Sequence, residues 1–254
     1  MPCHLNEAIA DLDHLLDPNR FKDYGPNGLQ VPGKAEIAKL ATGVSASAEL
    51  FEQAIAIHAD LLIVHHGLFW GSAPTAIDVP LKRRLKLLFD ADMALAAYHL
   101  PLDAHRDVGN NALIGKALGA EALDPFAMHE GEPIGQLARF SGDGIEATAL
   151  FAKVAELTAR TPLVFDAGPA RIRSLAIVSG GGAGYLPDAV AAGADAFLTG
   201  EPAERVMTEA RETGVHFIAA GHYATETFGV QRLGGDLAAR FGLEHEFIDV
   251  PNPI

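Results

Sequence analysis

The sequence predicts an α/β fold of two similar, intertwined α/β domains from an internal duplication, with mixed, mostly parallel sheets. Short apolar runs without polar alternation, LLIVH at 61–65 and MALAAY at 93–98, have the pattern of strands buried on both faces. Amphipathic helical stretches separate such runs, the grammar of a parallel sheet. The second half of the chain then repeats the first.

Taken in order, residues 4–16 carry Leu5, Ile9, Leu12, Leu15 and Leu16 at helical spacing. Pro18 and the turn-rich Tyr24-Gly25-Pro26-Asn27-Gly28 end that helix. Residues 39–45 read as a strand, 47–58 as a helix, 61–65 as a strand, 80–91 as a helix and 93–98 as a strand. In the second half, 174–179 read as a strand, 185–193 as a helix ending in Gly193, 195–199 as a strand, 203–213 as a helix and 215–220 as a strand.

HADLLIVHHG lies against GADAFLTGEP, and FDADMALAAYHLPLD against RETGVHFIAAGHYATE. The period exceeds one hundred residues, so this is a duplicated domain and not a solenoid repeat. Residues 121–170, with the strand-like IGQLARF, a helix over EATALFAKVAELTAR and the strand-like PLVFD, complete the second domain. The expected domains are therefore 1–120 and 121–254, with a metal site between them.

Composition narrows the function classes. With 49% hydrophobic and 20% charged residues, the 254-residue chain is globular in character. Its 33 acidic against 19 basic residues give a formal charge of -14, which repels nucleic-acid phosphates and anionic lipid. The densest basic run, Lys82-Arg83-Arg84, lies on an amphipathic helix and reads as a solvated face. Cys3 is the single cysteine, so neither an intramolecular disulfide nor a thiolate cluster can form within one chain. No apolar run is long enough to span a bilayer, and the N-terminus lacks signal-peptide character. A cytoplasmic protein is expected, with no membrane partner and no nucleic acid.

The chemistry gathers at strand ends. His65-His66 closes a buried strand just before Gly67, where open α/β sheets place ligands. Adjacent side chains on a strand face opposite ways, so two ligands here require the chain to leave strand geometry. Alone, the histidine pair is a weak signal. His99 and Asp103 end the next strand, and the matching place in the second copy gives His222 and Glu226 at the same i, i+4 spacing. A helix running on from Gly221 would put His222 and Glu226 on one face. His66 falls opposite Glu201, so both halves bring metal-capable groups to equivalent strand ends. Imidazole and carboxylate without thiolate suit Zn, Mn, Fe, Co or Ni.

His99 and His105 are candidates for proton transfer or for a supporting hydrogen bond. His4, His14, His129, His216 and His245 lack partners at useful spacing and read as surface or satisfied core residues. The loop Ser179-Gly180-Gly181-Gly182-Ala183-Gly184 has two readings: a backbone cradle for phosphate, or a close-packed turn. It lacks the Walker lysine.

The segments GPNGLQVPG, GVSAS, DLLIVHHGLFWG, YHLPLDAHRDVGNNALIGKALG, VSGGGAGYL, LTGE and GHYATETFGV, in this order, resemble the dinuclear metal centre family. Its members are often labelled GTP cyclohydrolase I type 2 homologues, and the YbgI-like branch is the nearest in pattern. The resemblance implies a homohexameric, toroidal ring, a trimer of dimers, with metal pairs facing its interior. It implies two divalent ions per chain held by His65, His66, Asp103, His222 and Glu226, with Glu226 as the bridge. Many relatives have Asp-x-Thr where this chain has Ser45-Ala46-Ser47, a departure that matches the YbgI-like branch and argues against a catalytic duty there.

The implied activity is metal-dependent hydrolysis of a nucleotide or related small molecule, with water activated by the ions and His99 or His105 moving the proton. A ring that stores, delivers or inserts metal is the alternative. A ring encircling nucleic acid fits the shape but not the charge.

Overall fold

The computed structural model describes residues 2–71 and 76–254. They form two compact units, residues 1–102 with 229–250, and 103–228 with 251–254. The expected division at 120/121 is therefore replaced by one at 102/103, and the C-terminal helix and strand belong to the first unit.

The strands of the first half are β1 (Cys3–His4), β2 (Gly28–Val31), β3 (Glu36–Ile37), β4 (Lys39–Ser45), β5 (Leu61–His66), β6 (Ala94–Ala97) and β7 (Ala122–His129). Its helices are α1 (Leu5–Leu16), α2 (Ala48–Ala56), α3 (Val79–Ala91), α4 (Leu100–Ala104) and α5 (Asn110–Ala117). In the second half the strands are β8 (Glu132–Arg139), β9 (Ile145–Glu146), β10 (Leu163–Phe165), β11 (Arg171–Ile172), β12 (Ser174–Val178), β13 (Ala196–Thr199), β14 (His216–Ala219) and β15 (Glu244–Phe247). The helices there are α6 (Ala147–Leu157), α7 (Leu186–Ala191), α8 (Val206–Thr213), α9 (His222–Thr225) and α10 (Thr227–Phe241).

The first unit is built on a sheet of order β15-β4-β5-β6-β2. Its β15, β4, β5 and β6 run parallel and β2 antiparallel. Leu61, Leu62, Ile63 and Val64 of β5 are all fully buried, as an unbroken apolar run demands of a central strand. Leu50, Phe51 and Ala54 of α2 and Leu81 and Leu88 of α3 close one face of this sheet. Ser47 starts α2 by accepting the Leu50 amide at 3.1 Å.

The second unit has a sheet of order β10-β14-β13-β12-β8-β7, with β12, β13 and β14 parallel. Leu150 and Val154 of α6 pack with Ile114 and Leu118, against Leu175 and Ile177 of β12.

The duplication reaches further than the sequence match. Strand β9 enters α6 directly, as β1 enters α1. The short pair β9–β11 repeats β1–β3, and β10 borders β14 antiparallel as β2 borders β6. Residues 145–172 are thus the opening of the second copy, not a separate piece. One carboxylate shows the equivalence in detail. Asp60 accepts the amides of Ala38 and Lys39 at 2.9 and 3.1 Å, tying β4 to the start of β5. Asp195 accepts those of Arg173 and Ser174 at 2.8 and 3.0 Å, doing the same for β12 and β13.

The boundary differs from the expectation because each copy sends its last elements into the other unit. Helix α5, following β6 and α4, packs on β8 and β12. Helix α10, following β14, leads to β15, which pairs with β4. The copies are intertwined for that reason.

Candidate metal centre

Strands β5 and β6 are parallel neighbours, with Val64 level with Ala97, so their C-terminal ends bring His65, His66 and His99 together. One ligand nitrogen from each of the three rings lies within 4.8 Å of the others. The chain does not leave strand geometry to achieve this, contrary to expectation: β5 continues through His66, which stands level with Ser45. The ring centroids of His65 and His66 are 4.8 Å apart, and that of His99 is 4.9 Å from His65.

Each imidazole is held at Nδ1. Fully buried His65 donates to the Tyr98 carbonyl at 3.0 Å, which leaves the lone pair of the neutral ring on Nε2. His99 donates to Asp23 at 2.7 Å, giving the same tautomer. His66 shares a hydrogen bond with the Ser45 hydroxyl at 2.9 Å. Ser45 therefore orients this imidazole.

Asp23 stands just before the turn-rich Tyr24–Gly28 stretch, and nothing in the sequence singles it out. Its side chain is 2% exposed and accepts from His99, from the Tyr24 and Leu100 amides at 2.6 and 2.9 Å, and from the Asn27 amide group at 2.9 Å. Burial alone would raise its carboxyl; the His99 ring, Asn27 and the Leu100 amide outweigh that and hold it below the ordinary carboxylate range. Such a carboxylate behind an imidazole fixes the ring's tautomer and orientation.

The second unit supplies a carboxylate-rich group. Asp103 is buried, and one of its oxygens accepts from Asn110 at 2.8 Å and from the Ser179 hydroxyl at 3.0 Å. The His222 ring is held between two carboxylates, with Nδ1 against Glu201 and Nε2 3.2 Å from Glu226. Burial pulls the His222 pKa down, but Glu226 and Glu201 overcome it and lift it to about 9. The continuous helix expected after Gly221 is broken. Helix α9 is one turn, Glu226 sits at φ -114°, ψ 6°, and α10 starts afresh at Thr227.

The glycine-rich loop is the close-packed turn. The amides of Ser179, Gly180 and Gly182 are taken by Asn111, Thr225 and Thr199 at 2.7, 3.0 and 3.0 Å, so they are not a phosphate cradle. Gly180 has φ +62°, and a Cβ there would collide with Glu226 Oε1 and lie 3.1 Å from His222 Nε2. The loop thus lets backbone approach these two side chains.

The sheet register revises one equivalence. Val64 is level with Ala97 and Thr199 with Ala219, so His99 corresponds to Gly221 and His222 to Leu100. His99 and His222 are one residue out of phase: His99 lies just before α4, whereas His222 is the first residue of α9. Glu201 does correspond to His66.

The whole chain now stands comparison with known proteins. The model of the family described as Duf34/NIF3 (NGG1p interacting factor 3) matches residues 3–253. The chain belongs to the DUF34/NIF3 family. It is 44% identical, over the full length of both chains, to the Pseudomonas aeruginosa protein named GTP cyclohydrolase 1 type 2 homolog. That name states a likeness and not an activity. Among solved structures it is similar to TTHA1606 from Thermus thermophilus, with TM-score 0.92 and 40% identity over 99% of this chain and 100% of the other. Protein ybgI is similar too, with TM-score 0.91 and 38% identity at the same coverage.

Within this DUF34/NIF3 chain, His105 is used unlike the other candidates. Its Nδ1 accepts the amides of Asp107 and Val108, each at 3.2 Å, closing the turn into α5. Its tautomer is therefore opposite to that of His65 and His99. The buried His216 is satisfied by the Pro169 carbonyl at 2.8 Å and the Gly168 amide at 3.1 Å, as a core histidine should be. Among the described residues, no helix is long and apolar enough to cross a membrane.

Proposed function

We propose that this chain is a metal-dependent hydrolase of the GTP cyclohydrolase type 2-like class, acting on a nucleotide or related small molecule. Two divalent ions from the set Zn, Mn, Fe, Co and Ni are its cofactors, and His65, His66, Asp103, His222 and Glu226 are their ligands. The observation carrying this reading is the convergence of His65, His66 and His99, each held at Nδ1 by another group of the protein. Imidazole nitrogens and buried carboxylates, without thiolate, are donors suited to borderline divalent metals. Only four chain positions separate His99 from Asp103.

Bound ions would supply Lewis acidity and a lowered pKa for water. The protein's own residues do the remainder. Asn110 and Ser179 fix one oxygen of Asp103, Glu201 fixes the His222 ring, and Asp23 holds His99 so that Nε2 can accept or return a proton. We also place the chain in a cytoplasmic homohexamer on the strength of the family resemblance.

The test is hydrolysis of GTP and other nucleotides by protein loaded with each metal, beside His99→Gln. Turnover that tracks bound metal and falls by about 10²–10⁴-fold in His99→Gln is expected for loss of general acid–base help. Full metal loading with no turnover of any nucleotide, but transfer of metal to an acceptor, would replace the hydrolase by a metal-delivery protein.

A further inference from the structure

Two large aromatic side chains stand exposed beside the imidazole cluster. Trp70 is 46% and Tyr24 56% exposed. Isolated exposed aromatics need no explanation, but both of these contact the same ring. Trp70 meets His99 edge to face, with centroids 5.3 Å apart at 83°, and Tyr24 lies 6.0 Å from it at 62°. Trp70 is also 5.8 Å from His66.

These aromatics are carried on a fixed frame. The Gly71 amide donates to the Tyr24 carbonyl at 2.5 Å, and Gly25 packs so tightly on the Phe69 carbonyl that a Cβ would not fit. The Tyr24 amide is bound at 2.6 Å by Asp23, the same carboxylate that holds His99. One side chain therefore positions both the imidazole and the segment bearing its aromatic neighbour.

The cleft lined by His65, His99 and Trp70 encloses only about 10 Å³ and opens to solvent. A cavity of that size holds about one water, so a planar ring would lie on the exposed aromatic faces and not be enclosed. The cleft's neutral polar side chains are already engaged. Asn27 bonds to Asp23 and the His99 amide, and Gln30 to the Pro26 carbonyl and the Leu68 amide. Little remains to read the edge of a base, whereas aromatic faces stack on any planar ring.

We propose that Tyr24 and Trp70 form a stacking platform that seats a planar heterocycle beside His99, recognised by its face rather than its hydrogen-bonding edge. The proposal rests on the reading of the imidazole cluster as the working end of the site, and it specifies the substrate class.

Trp70 is the chain's single tryptophan, so its emission reports this place alone. The full-length protein is titrated with guanosine 5′-monophosphate, adenosine 5′-monophosphate and ribose 5-phosphate, with correction for absorption. Saturable quenching by both nucleotides, at Kd values within about fivefold of each other, and none by the sugar phosphate, is expected for face recognition. Tyr24→Leu should weaken both by roughly fivefold or more while leaving metal content unchanged. No saturable quenching, or equal binding by Tyr24→Leu, would overturn the platform. So would Trp70 emission already shielded from acrylamide in the free protein, which would assign these rings to a contact between copies. Metal content is measured separately: intact metal without nucleotide quenching defeats the platform alone, and quenching without metal defeats the metal-centre reading alone.

Discussion

Asp23 accepts the Nδ1–H of His99 at 2.7 Å across 76 residues of chain, and the same carboxylate binds the amides of Tyr24 and Leu100. Asp23→Asn keeps the shape but turns an NH₂ group toward donors. Loss of stability by about 1–3 kcal/mol is expected from the unsatisfied partners, read by denaturant unfolding. If the His99 ring serves the metal centre, metal affinity or activity should also fall by roughly 10–100-fold.

The duplication makes a paired prediction. Asp60 and Asp195 each bind two backbone amides at equivalent strand starts. Asp60→Ala and Asp195→Ala should each destabilise the protein by about 1–3 kcal/mol. A large loss for one and none for the other would show that the two carboxylates do different work.

Backbone strain separates the copies at one matched place. His58 follows α2 at φ 59°, where the second copy has Gly193 at φ 68°. His58→Gly should stabilise the protein by about 0.5–1 kcal/mol, because an L-residue is strained there and the gain exceeds the added freedom of the unfolded chain. Unchanged or lower stability in thermal unfolding would contradict this.

His245 of β15 supplies a pH dependence. Burial against β4, where Nε2 lies 2.9 Å from the Thr42 hydroxyl, lowers its pKa below the ordinary 6.5. Between the folded and unfolded values the unfolded chain binds the extra proton, so this contribution is whole above pH 6.5 and is lost as pH falls below it. His245→Gln should flatten the change in stability between about pH 7.5 and 5.5, measured by urea unfolding at each pH. An unaltered slope would assign that limb to other groups.

Much of this was legible in the sequence, for reasons that also mark where legibility stops. The run LLIVHH announces β5 because burial on both faces leaves no polar alternation, and the histidines stand out against it. Asp23 did not stand out. In a turn rich in Gly, Pro and Asn, a carboxylate looks like any solvated turn residue, and two of its partners, His99 and Leu100, lie more than seventy residues away. The return of β15 to β4 was hidden because apolar patterning reports burial and not which edge a strand will join. The aligned His99 and His222 looked equivalent because both precede an acid by four positions, yet pairing of β13 with β14 fixes them one residue apart.

The central claim, a shared two-metal site, is tested most directly by metal content per chain. Elemental mass spectrometry would be run on untagged protein and on Glu226→Ala, with circular dichroism to show that both are folded. The account predicts nearly two ions per chain in the wild type and a large loss in the variant. Little metal in either, even after reconstitution with Zn, Mn, Fe, Co and Ni, would contradict it.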